Sequence, residues 1–358
     1  MRDKNGRQAG MIRLFTVSIR VAFALAVVVQ SAAADPVADF YRGKSVSLIV
    51  GGAAGGGYDA VARVLTRHIG RHIPGNPAVH VENMSGAGSL ILMNYLHNRS
   101  PRDGTVMAMP TTNVLFDAKL QPSATTRNTV FDINRVSWIG TPARQPQVLF
   151  VWHDTPFKTL SDLRANKMVI GAISAATDTY ILPMFMKQLL GADATIIPGY
   201  KGSPEILAAM ERREVDAFVA LLANVTAGNS SYLKENKIRP VVQFGRQRSV
   251  ELPMVPTATE WADTESDKQL FQSYGIKYEM SYPIMVVPGV PTERVAALRA
   301  AFEQTMADPA YQQDAKRMGV VLDPLTGAEM QDLMKTINDM PDDLIVRLRA
   351  LTSASSAQ

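Results

Sequence analysis

The residues best suited to chemistry form a nine-residue stretch, GGAAGGGYD at positions 51–59, directly after the apolar run VSLIV (46–50). Glycine accepts positive φ and carries no Cβ, so successive backbone N–H groups can converge on one anionic oxygen. If a helix starts here, its unpaired amides and the positive end of its dipole point to the same place. Ala53, Ala54, Gly55, Gly56, Gly57, Tyr58 and Asp59 are therefore candidate contacts for a carboxylate or phosphate, with Asp59 expected to cap the helix. A second turn, ENMSGAGS (82–89), adds Ser85, Gly86, Ala87 and Ser89, and Thr112 follows the next apolar run at 106–110. Tight strand-to-helix geometry alone would also account for the first turn, and helix capping for the second.

Similar chemistry recurs further along the chain. After MVIGAI (168–173) come Ser174, Thr177, Asp178 and Thr179, and a later turn holds Tyr200, Lys201 and Ser203. If two halves close on each other, a dianionic solute could be gripped by the first turn at one end and by these residues at the other. Tyr58 could stack on an aromatic carboxylate, occupy ligand space, or simply pack on its own helix.

Other chemistries fit less well. Gly55, Gly57 and Ala60 satisfy a dinucleotide fingerprint with Glu82 ending the next strand, but Asp59 would put a carboxylate beside the pyrophosphate. His68 and His72 have the i, i+4 spacing of a metal pair, yet Arg67 and Arg71 flank them with no carboxylate close in sequence, so they read as solvated. No G-x-S-x-G, H-E-x-x-H or P-loop is present. The absence of cysteine removes thiolate catalysis, disulfides and cysteine-ligated metal. The expectation is a binding protein with no cofactor, no metal and no catalytic residue.

The elements that must position these turns alternate in type. Short β-branched runs at 46–50, 78–82, 106–110, 148–152, 168–173, 195–198, 239–244 and 283–288 are separated by helical patterns at 59–71, 89–97, 178–190, 204–214 and 292–307. Alternation of this kind predicts an α/β fold. The unit VSLIVGGAAGGGYDAVARVL is echoed about 120 residues on by KMVIGAISAATDTYILPMF, each a strand, a small-residue turn, an Asp and a helix. Two similar lobes explain the echo. The division expected is a first lobe of residues 35–140 plus 253–358 and a second of 141–252, with the C-terminal helices returning to the first lobe.

The N-terminus reads as a secretory leader. Basic residues from Arg2 to Arg20 precede VAFALAVVV (21–29), shorter than the roughly 20 apolar residues of a membrane span, and the small residues that follow suit cleavage between Ala34 and Asp35. Met11 is an alternative start, and an uncleaved anchor is the competing reading. Without residues 1–34, the 37 Lys and Arg fall by five to 32 and the 33 Asp and Glu by one to 32, leaving no net charge. The calculated pI near 9.2 belongs largely to the leader, so it gives no support for nucleic-acid binding.

With these motifs in order, the chain resembles the periplasmic receptors of tripartite tricarboxylate transporters, the Bordetella uptake gene (Bug) family. The likeness runs through LIVGGAAGGGYDAVAR (48–63), VHVENMSGAGS (79–89), PRDGT (101–105), FKTLSDL (157–163), GYKGS (199–203), EVDAF (214–218), LPMVPTATE (252–260) and VVPGVP (286–291). It implies a type II periplasmic-binding-protein, or Venus-flytrap, fold with two α/β lobes, no catalysis, and delivery of a small carboxylate to the membrane permease subunits by a monomeric protein. It also implies carboxylate contacts at residues 53–59, 85–89, 174–180 and 200–203. Tyr58 stands where relatives commonly have a threonine-like residue. A ligand-binding input to a sensor kinase and an exported α/β enzyme are the remaining alternatives.

Overall fold

The alternating runs pair into two separate sheets. In the computed structural model the described residues are 35–112, 114–116, 133–175, 177–225 and 230–353, so the leader read over 1–34 lies outside them. The first sheet has six strands in the order β11 (Leu325–Thr326), β4 (Ser137–Thr141), β10 (Ile284–Val286), β3 (Val106–Met109), β1 (Ser45–Val50) and β2 (Ala78–Asn83). The second has five: β7 (Ala194–Ile197), β6 (Met168–Gly171), β8 (Ala217–Leu221), β5 (Gln147–Trp152) and β9 (Ile238–Phe244). In each, parallel pairs (β1 with β2 and β3, β6 with β7 and β8) adjoin antiparallel neighbours.

The inner strands are continuous apolar runs, as strands covered on both faces require, whereas the edge strand β2 alternates exposed and half-buried residues. All of β3 is buried, as is β8 except its last residue. Pro240, which lacks an N–H, sits in β9 at a register shift on the sheet edge, where a missing donor is tolerated.

The helices follow the strands as the periodicity predicts: α1 (Gly57–Ile69) after β1, α2 (Leu90–Asn98) after β2, α3 (Asp178–Leu190) after β6 and α4 (Ser203–Glu211) after β7. Helix α5 (Glu265–Glu279) lies in the long return from the second sheet to the first. Helices α6 (Thr292–Ala307) and α7 (Pro309–Arg317) pack on α1, and α8 (Gly327–Asn338) packs on β4. The final helix, α9 (Asp342–Ser353), lies against α3 and α5. Its Leu344, Ile345, Leu348 and Leu351 enter the apolar cluster that holds Phe185 and Phe271. Apolar spacing defines a buried stripe but does not choose its partner.

Two apolar clusters belong to one sheet each, and a third runs from Leu92 and Trp138 beside the first sheet to Phe185 and Phe244 beside the second. The chain crosses between the sheets at residues 142–146 and again after β9. No helix among the described residues is long and apolar enough to cross a membrane.

Candidate functional site

The first glycine turn ends where α1 begins. Gly56 is the N-cap and contributes no side-chain bond, so α1 starts with the amides of Gly57, Tyr58 and Asp59, which have no partner inside the helix. Residues 53–57 are exposed. Asp59 is not the cap, as expected from sequence, but the third helical residue: its Oδ2 accepts from Gly55 N–H and Arg63 Nε, both at 2.9 Å. The Arg63 hydrogen bond holds its carboxyl down to about 2, against the opposing cost of burial. Asp59 thus ties the turn to the helix it precedes through Gly55 N–H and Arg63.

The second turn is tied to the first. Ser89 Oγ donates to the Gly51 carbonyl at 3.2 Å and accepts from Thr111 N–H at 2.9 Å. Ser89 is fully buried with φ 78°, so it works as a staple between turns. Ser85 and Ala87 are exposed and Gly86 half-buried beside it.

Tyr58 closes a chain of hydrogen bonds. Its Oη accepts from Thr112 N–H at 3.2 Å and pairs with Thr112 Oγ1 at 2.8 Å, and Thr112 Oγ1 donates to Met280 O at 3.0 Å. With the Thr112 proton on Met280, Tyr58 is the donor to Thr112, and both hydroxyl protons are spent. Burial pushes the Tyr58 phenol up. Its ring meets Tyr282 edge-on, centroids 5.1 Å apart, so Tyr58 belongs to the wall between α1 and the 280–282 segment.

On the second sheet, the hydroxyls at the start of α3 are also spent on structure. Thr177 Oγ1 donates to Ser174 O at 2.8 Å, and Thr179 Oγ1 accepts from Ile173 N–H at 2.9 Å and lies 2.6 Å from Thr177 Oγ1. Asp178 instead reaches across to α5. Lys277 Nζ donates to Asp178 Oδ1 at 2.5 Å and to Tyr274 Oη at 2.9 Å, and Tyr274 Oη donates to the same Asp178 oxygen at 2.7 Å. The ammonium is also 4.1 Å from the Tyr274 ring centroid and 5.1 Å from that of Tyr278, within cation–π range.

Between the sheets lies a cleft of about 420 Å³. One wall carries Gly57, Tyr58, Thr111, Thr112, Ser281 and Tyr282; the other carries Gln147, Asp178, Leu221 and Asn224, with Lys277 and Tyr278 from the α5 segment. That size lies in the range of small-molecule sites. Two polar atoms on its lining residues, Gln147 Oε1 and Tyr278 Oη, are buried without a well-formed hydrogen bond among the described residues, the second beside the Asp178 carboxylate. Desolvation, with the Asp178 carboxylate close by, pushes the Tyr278 phenol well above its ordinary value.

Of the residues expected from sequence, the cleft brings together Gly57, Tyr58, Thr112 and Asp178. Its lining does not include Ala53, Ala54, Gly55, Gly56, Asp59, Ser85, Gly86, Ala87, Ser89, Ser174, Thr177, Thr179, Tyr200, Lys201 or Ser203. Tyr200 packs partly buried on the second-sheet core, and Lys201 is exposed with its N–H donating to Glu205 at 2.6 Å. Sequence reasoning missed Lys277, Tyr278, Ser281 and Tyr282, which carry no motif, and Thr111, Gln147, Leu221 and Asn224. A lysine flanked by tyrosines, YGIKYE, was the available signal.

The histidine pair is not solvated, as its flanking arginines suggested. His68 is buried and bonds Asp314 at 2.8 Å, tying α1 to α7, while His72, in the turn just after α1, bonds Asp308, the N-cap of α7, at 2.9 Å. The carboxylates absent nearby in sequence arrive from over 230 residues away. No group of three potential metal ligands occurs among the described residues.

Comparison with known proteins gives a consistent result. The family described as "Tripartite tricarboxylate transporter family receptor" matches residues 61–344. The chain is 26% identical over 305 residues to the UPF0065 protein in the gbd 5′ region of Cupriavidus necator, covering 82% of this chain and 85% of that one. Among solved structures, a TctC solute-binding protein from Polaromonas superposes with a TM-score of 0.66 at 18% identity, over 88% of this chain and 99% of the other. R. palustris Rpa4515, solved with adipate, superposes with a TM-score of 0.57 at 20% identity, over 88% and 98%. These structural likenesses establish the two-lobed fold.

Proposed function

Because this chain belongs to the tripartite tricarboxylate transporter receptor family, we propose that it is a periplasmic solute receptor that captures a small organic carboxylate and hands it to the permease subunits of such a transporter. The observation that carries this reading is the cleft itself: Gly57 and Tyr58, whose amides open α1 without a partner inside the helix, are among its lining residues. Such amides favour an anion without supplying a nucleophile or base, so the protein acts by binding and release alone. The adipate in the Rpa4515 structure is in keeping with a carboxylate ligand.

In this reading the leader at residues 1–34 directs export and is removed near Ala34, and the mature protein works as a monomer. Residues 35–140 with 253–358 form one lobe and 141–252 the other, with α9 reaching over to the second. Gly57, Tyr58, Thr112 and Asp178 meet the ligand in the cleft. The exposed turns at 53–56 and 85–88, with 174–179 and 200–203 opposite, add contacts when the lobes close by hinge motion at the crossings.

A thermal-shift screen against mono-, di- and tricarboxylates tests the proposal, because a ligand that binds only the folded state raises its apparent stability as RT ln(1 + [L]/Kd). At least one carboxylate should raise the melting temperature in a saturable manner, with no conversion of the ligand. Silence across the panel at millimolar concentration, or turnover by the purified protein, would reject it.

A further inference from the structure

The charges around the cleft constrain which carboxylate it takes. This inference rests on the receptor reading above and narrows its ligand. Lys277, the basic side chain in the lining, is already paired: its ammonium is 2.5 Å from Asp178 Oδ1 and both residues line the cleft. Lys277 is 10% and Asp178 18% exposed at the side chain, so the pair is largely withdrawn from water. A carboxylate approaching it meets a cation and an anion whose fields nearly cancel, and it must still lose its own hydration. A second ligand carboxylate therefore gains little there and is repelled by Asp178.

The uncharged groups beside this pair ask for something different. Tyr278 is 5% exposed; its hydroxyl is turned toward the Asp178 carboxylate, and neither it nor Gln147 Oε1 has a well-formed hydrogen bond among the described residues. Asp178 can only accept, whereas the Tyr278 phenol can donate or accept. A ligand hydroxyl does both, so it satisfies this corner in a way a carboxylate, an acceptor only, does not. Elsewhere in the lining, the rings of Tyr58 and Tyr282 with Leu221 offer apolar surface.

We propose that the cleft selects a monocarboxylate whose ring-sized apolar body carries a hydroxyl at the far end, and that Asp178 excludes a second carboxylate while Tyr278 reads the hydroxyl. The carboxylate sits at the start of α1, the ring among the tyrosines, and the hydroxyl at the Asp178–Tyr278 corner. A dianion bridging both turns, the arrangement the sequence suggested, is disfavoured by the charge already present.

The test is isothermal titration of the full-length mature protein with 4-hydroxybenzoate, benzoate, benzene-1,4-dicarboxylate and adipate. The hydroxy acid should bind at least about ten-fold tighter than benzoate and than the aromatic dicarboxylate, as sites built to pair a hydroxyl discriminate strongly. Asp178→Asn, which unmasks the Lys277 charge, should bring the dicarboxylate level with or ahead of the hydroxy acid; Tyr278→Phe should bring the hydroxy acid down to benzoate. Equal or tighter wild-type binding of the dicarboxylate overturns the inference, as does an unchanged preference in Tyr278→Phe, which decides the matter even if Asp178→Asn does not fold. If adipate binds and the ring compounds do not, the inference fails and the receptor reading stands; if no organic anion binds at all, both fail.

Discussion

Gly51 and Ser89 lock the two glycine turns together: Ser89 Oγ donates to the Gly51 carbonyl, and a Cβ on Gly51 would stand 2.1 Å from that oxygen. The glycine at the end of β1 is there for the neighbouring turn rather than for a ligand. Gly51→Ala should displace Ser89, free Thr111 N–H and cost about 1–3 kcal/mol, in line with overpacking of a filled site. Urea denaturation reads it; a midpoint equal to wild type would mean the contact yields without cost.

Gly57 should separate binding from stability. A Cβ there meets nothing within 4 Å, and the position is exposed at the start of α1. Gly57→Ala should leave the unfolding free energy within about 1 kcal/mol of wild type, or raise it, because alanine restricts the unfolded chain. Carboxylate affinity should nevertheless fall, since the methyl group narrows the approach to the amides. Unaltered affinity would remove Gly57 from the site.

Lys277→Met leaves Asp178 buried without its cation. Removing one member of a buried pair costs about 3–5 kcal/mol, whereas removing both costs far less. The double variant Lys277→Met/Asp178→Asn should therefore be more stable than the sum of the single effects predicts, by a coupling of about 1–3 kcal/mol. Additive single effects would show the two residues to be energetically independent.

Acid should unfold the protein through carboxylates of the first lobe. Asp59, held down to about 2 first by Arg63, and Asp314, lowered first by His68, bind protons less readily folded than unfolded. Their contribution is present above an ordinary carboxylate value and is lost as pH falls below it, for Asp59 down to about 2. Glu279, pushed up by burial, has the opposite sign: its charging opposes the fold as pH rises past its ordinary value. Asp59→Asn should lower the melting temperature at pH 7 and flatten its fall between pH 4 and pH 2; an unflattened fall would place the acid sensitivity elsewhere.

Local chemistry was legible in the sequence and long-range pairing was not. The helix at Asp178–Leu190 and the start of α1 within two residues of Asp59 follow from apolar periodicity and from what glycine turns permit. Strand β4, SWIGT, escaped because a Gly and two hydroxyl residues break its apolar run, and β11 is only two residues long; β8, AFVAL, is an unbroken apolar run and was missed all the same. The site residues that escaped share one cause. Lys277 acquires its meaning from Asp178, 99 positions away, and Tyr282 from Tyr58, and no local pattern encodes which distant residues the two crossings bring together. Thr177 and Thr179 illustrate the reverse: their types suit a ligand, but each already has a nearby backbone partner.

The most direct measurement is calorimetric titration of the mature protein with the carboxylate that gives the largest thermal shift, run in parallel on Gly57→Ala. A carboxylate receptor with its site in this cleft predicts one ligand per chain for the wild type and at least about ten-fold weaker binding for the variant, a difference of about 1.4 kcal/mol, with no comparable loss of stability. Heat from neither protein, or identical affinities in both, would contradict it.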